Sequence, residues 1–274
     1  MGSRPGRPYM AGAPLLFAHR GGAGLAPENT LEAFEGAVHR WRADVLEMDV
    51  RMTRDGELVV IHDATVDRTT EATGPVRGLP LADLQQLDAG FRFTDLEGGS
   101  TFRGRGVRIP TFEEVLVTLP HTRLNVDAKD ADAAPLLIRM VERHGARDRV
   151  LLASAEEAGR ADRLGYRGPV SATERQIRLF FLTHRLPMGG PYTPVTDALQ
   201  VPYHWNGRQV TTPRLIHEAH RRNLPVHVWT VNDPDTMRLL LGWGVDGIQT
   251  DRPDVLARVL AEEAGRAPAL GLEP

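Results

Sequence analysis

Short apolar runs recur along the chain, and several end in a chemically capable residue. Leu15-Leu16-Phe17-Ala18 runs into His19, Leu58-Val59-Val60-Ile61 into His62, and the stretch from Arg123 to Ala128 into Lys129. Runs of this length bounded by turn residues predict β-strands. Between them, apolar residues recur at helical spacing. Leu31, Phe34, Ala37, Val38 and Trp41 predict a helix over 31–41 that Asn29 or Thr30 can cap. The same pattern predicts helices over 111–118, 132–144, 155–163, 173–182, 212–222, 234–241 and 253–263. Further strands are expected over 149–153, 168–172, 198–201, 226–230 and 247–250.

Main strands near residues 15, 45, 124, 150, 169, 198, 226 and 247 therefore alternate with helices, which predicts a closed α/β fold, the (β/α)8 TIM barrel. One strand departs from the alternation. The turn Arg54-Asp55-Gly56-Glu57 joins the strand over 44–50 to that over 58–61 with no helix between them, as in a hairpin. Residues 64–109 lack periodicity beyond a short helix near 81–87 and are read as a small insertion over the barrel mouth. The expected organisation is a loose arm over 1–13, one barrel domain over 14–264 and a frayed tail over 265–274. An open dinucleotide-binding sheet is the competing α/β fold. In Gly22-Ala23-Gly24-Leu25-Ala26-Pro27, however, proline stands where the third glycine of that fingerprint belongs.

Composition narrows the function. A net charge of −3 offers no broad basic footprint for nucleic acid. No apolar run approaches the ~20 residues of a membrane span, and the run over 14–18 is too short for a signal-peptide core. A cytoplasmic protein is expected. With no cysteine, thiolate metal sites and disulfides are excluded. Among 33 lysines and arginines, Lys129 is the sole lysine. Where arginine is the default cation, a lysine can mark a position that needs a compact ammonium.

Barrel chemistry sits at the carboxyl ends of the strands. Glu47 and Asp49, two apart on one strand, share a face. Two such carboxylates at ~4 Å and a dielectric of ~20 repel by roughly 4 kcal/mol. A proton, a basic neighbour or a cation relieves that repulsion. Asp127 and Lys129 share a face in the same way. Glu47, Asp49 and Asp127 form an all-oxygen set suited to a divalent cation, Mg²⁺ or Ca²⁺, rather than zinc. His19 and His62 suit general acid and base roles near neutral pH. Arg20 and Lys129 suit a phosphoryl oxygen. Together these residues describe phosphodiester cleavage. Thr250-Asp251 before Arg252-Pro253 is read as a helix cap, and His227, inside a strand, as a satisfied core histidine.

The motifs His19-Arg20-Gly21-Gly22, Pro27-Glu28-Asn29-Thr30, Glu47-Met48-Asp49-Val50 and His62-Asp63 resemble the signature of the glycerophosphodiester phosphodiesterase family. The resemblance continues through Ile109-Pro110-Thr111, Asp127-Ala128-Lys129, Val228-Trp229-Thr230-Val231-Asn232 and Thr250-Asp251-Arg252-Pro253. It implies a TIM barrel with a small insertion. It also implies metal-dependent release of sn-glycerol 3-phosphate and an alcohol from small deacylated phospholipids, with no protein partner inferable. By the same resemblance His19 and His62 are the catalytic pair, and Glu47, Asp49 and Asp127 the metal ligands. Arg20, Lys129 and Trp229 would contact substrate. The family motif usually has Glu where Asp127 stands, and the shorter side chain implies a shifted ion or an added water. Attack comes from water, or from the glycerol hydroxyl through a cyclic phosphate, with His62 read as acid and His19 as base. The alternatives are a lysophospholipase D or sphingomyelinase-D-like enzyme, or a catalytically silent module that binds phosphoryl ligands. Phe180-Phe181-Leu182 is read as packing a helix, and only in the lysolipid case as lining an apolar slot with Tyr203, His204 and Trp205.

Overall fold

The computed structural model describes residues 8–130, 132–153, 161–162, 164–185 and 190–270. Seven parallel strands carry the fold: β1 (Leu15–Ala18), β2 (Val45–Met52), β4 (Arg123–Ala128), β5 (Val150–Ala153), β6 (Leu199–Pro202), β9 (Val226–Trp229) and β10 (Gly247–Thr250). Their order in the sheet is β5-β4-β2-β1-β10-β9-β6. The two ends meet through parallel bridges Leu152↔Val170 and Ser171↔Ala198, which close the ring. The strand expected over 168–172 is thus reduced to two bridges. Pro169 lies within it and has no N–H to give to a ladder.

Alternation along the strands divides the core in two. Leu16, Ala18, Leu46, Met48 and Val50 point outward into the layer beneath the helices. Leu15, Phe17 and Val45 point inward, with Leu151 and Ala198. The same parity carries Glu47 and Asp49 inward, toward the carboxyl-terminal mouth. The inner face also buries Asn125, Gln200, His227 and Gln249. Within the expected arm, the turn Pro8–Met10 places buried Tyr9 in the inner cluster, and Arg123 Nη1 donates to the Tyr9 carbonyl at 2.9 Å. Beyond the last helix, Arg266 pairs with Asp44, and Ala269 is buried.

The helices are α1 (Leu31–Glu35), α2 (Leu81–Leu84), α3 (Phe112–Thr118), α4 (Ala133–Arg143), α5 (Glu174–Thr183), α6 (Pro213–His220), α7 (Pro234–Gly242) and α8 (Pro253–Ala264). Thr30 caps α1, which loosens into a π-turn over Gly36–Arg40. Thr111 and Thr173 close capping boxes on α3 and α5. Most of the helix expected over 155–163 lies outside the described residues. None of the described helices is long and apolar enough to cross a membrane.

The hairpin strand β3 (Leu58–Val60) pairs antiparallel with β2, Val50 against Val60. The stretch 64–109 packs its own cluster of Val66, Val76, Leu84, Ala89, Val107 and Ile109 onto Val59 and Ile61. A second, unexpected hairpin follows β6, formed by β7 (His204–Trp205) and β8 (Arg208–Gln209). Tyr203 packs on His204 and Trp243, whereas Phe180 and Phe181 pack around His184. Leu182 and Trp205 are exposed.

Candidate active site

β1 ends in a tight turn, His19-Arg20-Gly21, that folds back over the mouth. Arg20 lies in the left-handed region, at φ 50° and ψ 33°, where non-glycine residues are uncommon. Its backbone N–H donates to Glu47 Oε2 at 2.9 Å. The glycines that follow let this turn approach the start of α8. A Cβ on Gly22 would meet the Pro253 ring at 2.8 Å, and one on Gly24 the Asp251 carbonyl at 2.9 Å.

That approach brings His19 to Asp251, Nδ1 to Oδ1 at 2.7 Å, while its Nε2 stands 3.9 Å from Glu47 Oε2. Burial opposes a charge on His19, but Glu47 and Asp251 outweigh it and raise its pKa. Asp251 is therefore not a helix cap. The residue before α8 is Arg252, which supplies no side-chain cap. The other oxygen of Asp251 accepts from Asn232 Nδ2 at 2.8 Å. His62 makes a matching dyad, Nδ1 to Asp63 Oδ1 at 2.6 Å. Arg68 Nε donates to Asp63 Oδ2, and that hydrogen bond, with His62 assisting against modest burial, pulls Asp63 down to about 2. A carboxylate can only accept a hydrogen bond, so each Nδ1 carries a proton and each Nε2 is left to the site.

Asp49 is buried among cations. Lys129 Nζ lies 2.9 Å from Asp49 Oδ1 and 2.6 Å from Asp127 Oδ2, and Arg20 Nε lies 3.4 Å from Asp49 Oδ2. Burial works to raise Asp49, but Lys129, Arg20 and His62 outweigh it and hold the carboxyl below its ordinary value. Asn29, at the end of the Pro27-Glu28-Asn29 turn, donates to Asp49 Oδ2 at 3.0 Å. Arg20 Nη1 donates to Glu28 Oε1 at 3.0 Å.

The structure thus gathers His19, Arg20, Glu47, Asp49, Asp127, Lys129 and His62 at one mouth. Trp229 stands half-buried at the end of β9. Asp251, Asn232, Glu28, Asn29 and Arg68 were not singled out from sequence as site residues. Glu28, Asn29, Asn232 and Asp251 all lie within the motifs quoted above, as does Asp63 beside His62, and only Arg68 lies outside them. His227 is buried but not satisfied. Its Nε2 has no partner among the described residues, and burial lowers its pKa to about 4.

Among the described residues, no group of three or more His, Asp or Glu side chains is already arranged to hold a metal ion. Lys129 lies between Asp49 and Asp127. The donor chemistry nevertheless fits a hard cation. Glu47 is buried, and burial together with the charge of Asp49 pushes its carboxyl up to about 7, so this corner of the site is short of positive charge.

Two cationic side chains, Arg20 and Lys129, and two imidazoles each held by a carboxylate thus meet at the top of a closed barrel. Residues 19–255 match the sequence model of the glycerophosphoryl diester phosphodiesterase family. The chain belongs to that family, whose members hydrolyse glycerophosphodiesters. It is 34% identical over 257 residues to a probable glycerophosphodiester phosphodiesterase 2 of Mycobacterium tuberculosis, covering 91% of each chain. The crystal structure of a glycerophosphodiester phosphodiesterase from Agrobacterium tumefaciens matches with a TM-score of 0.72 at 26% identity, over 89% of this chain and 99% of that one. An Oleispira antarctica phosphodiesterase, solved with the product sn-glycerol-3-phosphate, shares the fold with a TM-score of 0.72 at 23% identity, over 90% and 97% of the two chains.

Proposed function

We propose that the enzyme cleaves glycerophosphodiesters to sn-glycerol 3-phosphate and an alcohol by histidine acid–base catalysis assisted by a divalent cation. The pair of imidazole–carboxylate dyads carries this reading. Phosphodiester cleavage needs one proton removed from the attacking oxygen and one delivered to the leaving alkoxide. His19 and His62 each present Nε2 for that exchange. The product bound to the Oleispira enzyme supports the same outcome.

Glu47, Asp49 and Asp127 would hold Mg²⁺ or Ca²⁺, which when bound stabilises negative charge on the phosphoryl group. Arg20 grips a phosphoryl oxygen. Its Nη1 donates to Glu28, and its buried Nε lies 3.4 Å from Asp49 without a hydrogen bond, which leaves donors for the phosphate. Lys129 supplies a second positive charge beside Asp127. His19, whose Nδ1 is held by Asp251, presents Nε2 as the base. His62 protonates the departing alkoxide. Trp229, half-buried at the end of β9, contacts substrate.

The test is release of glycerol 3-phosphate from glycerophosphocholine and glycerophosphoethanolamine by chelator-treated protein, with Mg²⁺, Ca²⁺ or no metal returned. Release restored by metal is expected. Release without metal removes the cation from the reading. Turnover of lysolipid alone moves the substrate to the lysophospholipase D class.

A further inference from the structure

Arg68 opens the insertion, six positions after His62. Its guanidinium makes three hydrogen bonds to two carboxylates. Nη1 donates to Glu28 Oε2 at 2.6 Å, Nη2 to Glu28 Oε1 at 2.8 Å, and Nε to Asp63 Oδ2 at 2.6 Å. Each carboxylate leads on into the site. Glu28 Oε1 also accepts from Arg20 Nη1, and Asp63 Oδ1 faces His62 Nδ1. An unbroken series of contacts therefore runs from His62 through Asp63, Arg68, Glu28 and Arg20 to Asp49.

An exposed ion pair adds little stability on its own, and the Arg68 side chain is 47% exposed. The insertion also has its own apolar cluster, including Val66 two residues earlier, so its fold does not depend on Arg68. The geometry has another use. A planar guanidinium can fix two carboxylates at set angles and grip one of them through two parallel bonds, whereas an ammonium is a compact point charge that imposes no such angles.

We propose that Arg68 is a positioning residue for the reaction, holding Asp63 and Glu28 so that His62 and Arg20 are oriented together. This rests on the reading above that His62 and Arg20 act on substrate. One exposed side chain thereby joins proton transfer to the grip on the phosphate. Losing Asp63 as a fixed partner frees the His62 ring and lowers kcat. Losing the brace on Glu28 loosens Arg20 and raises KM.

The experiment is steady-state kinetics on glycerophosphocholine with saturating divalent cation, for Arg68→Ala and Arg68→Lys, alongside His62→Ala and thermal unfolding. Arg68→Ala is expected to unfold only a little below the parent, because it gives up the partly exposed pairing with Asp63 and Glu28 but none of the apolar cluster. Its kcat/KM should fall by about 10–100-fold, a usual cost of removing a residue that orients an active one, with both kcat and KM affected. Millimolar guanidinium should restore part of the loss, equal ammonium should not, and Arg68→Lys should stay impaired. In an Asp63→Asn background, Arg68→Ala should still raise KM but lower kcat little further. The proposal is overturned if Arg68→Ala matches the parent while His62→Ala is inactive. It is equally overturned if the loss follows a fall in unfolding temperature and guanidinium does not reverse it. A fully active His62→Ala would instead overturn the underlying reading of the site.

Discussion

His19 Nδ1 meets Asp251 Oδ1 at 2.7 Å across 232 positions of sequence. The contact is a product of barrel closure. β1 and β10 are neighbours in register, Ala18 beside Thr250, so the residues that leave the two strands emerge side by side. Asn232, from the loop between β9 and α7, holds the second Asp251 oxygen. Three segments thus converge to fix one imidazole.

Asp251→Asn removes the acceptor-only partner and presents an amide that can turn its NH2 toward Nδ1. The proton on His19 then loses its defined place. We expect kcat to fall by about 10²-fold or more, with little change in KM or unfolding temperature. Parallel kinetics and calorimetry check this, and an unchanged kcat would take Asp251 out of the catalytic arrangement.

The roles of the two histidines separate by leaving group. On glycerophosphocholine, His19→Ala and His62→Ala should each lose about 10²–10⁴-fold in kcat. A glycerophospho-ester of an acidic phenol departs without a proton. His62→Ala should recover most of its activity on that substrate, and His19→Ala should not. The opposite pattern would exchange acid and base.

The pairing of Asp63 predicts an acid-side dependence of stability. An unfolded aspartate titrates near ~3.9, and folded Asp63 near about 2, because of the Arg68 hydrogen bond. The folded value is the lower of the two, so the stabilisation is present above the unfolded value and is lost as pH falls through the folded one. The difference in unfolding temperature between the parent and Asp63→Asn should be constant above about pH 5 and shrink between about pH 4 and 2. A difference that persists undiminished at pH 2 would rule out the carboxylate as its source.

Lys129 neutralises two acids. Lys129→Met keeps the stem and removes the ammonium from between Asp49 and Asp127. We expect a loss of about 3 kcal/mol, at the low end of the range for breaking a buried ion pair. Added Mg²⁺ or Ca²⁺ should raise the unfolding temperature of the variant more than that of the parent. Denaturant melts with and without the ion measure both effects, and equal responses to the ion would separate Lys129 from the cation site.

The barrel and the side-chain parity that carries the acids were legible because they are local. Strand parity operates between residues two apart, and it puts Glu47 and Asp49 on one face whatever their partners. The short strands ending in His19 and His62 announced themselves by apolar runs, and Lys129 by being the sole lysine. Pro169 shows where the local rule weakened, since a residue without an N–H reduced an expected strand to two bridges. The β7–β8 hairpin went unread because its strands are two residues each and exposed, with no buried face to leave a pattern.

The sequence by itself determined the order of the elements, the inward acids and the two imidazoles. The tertiary structure decided what orients them. Asp251 looked like a cap because its partner lies at the far end of the chain, and Arg68 looked like an insertion residue because Glu28 lies 40 positions earlier. Hydrogen bonds of this kind depend on which strand ends become neighbours when the sheet curls shut, and that adjacency has no periodic trace along the chain.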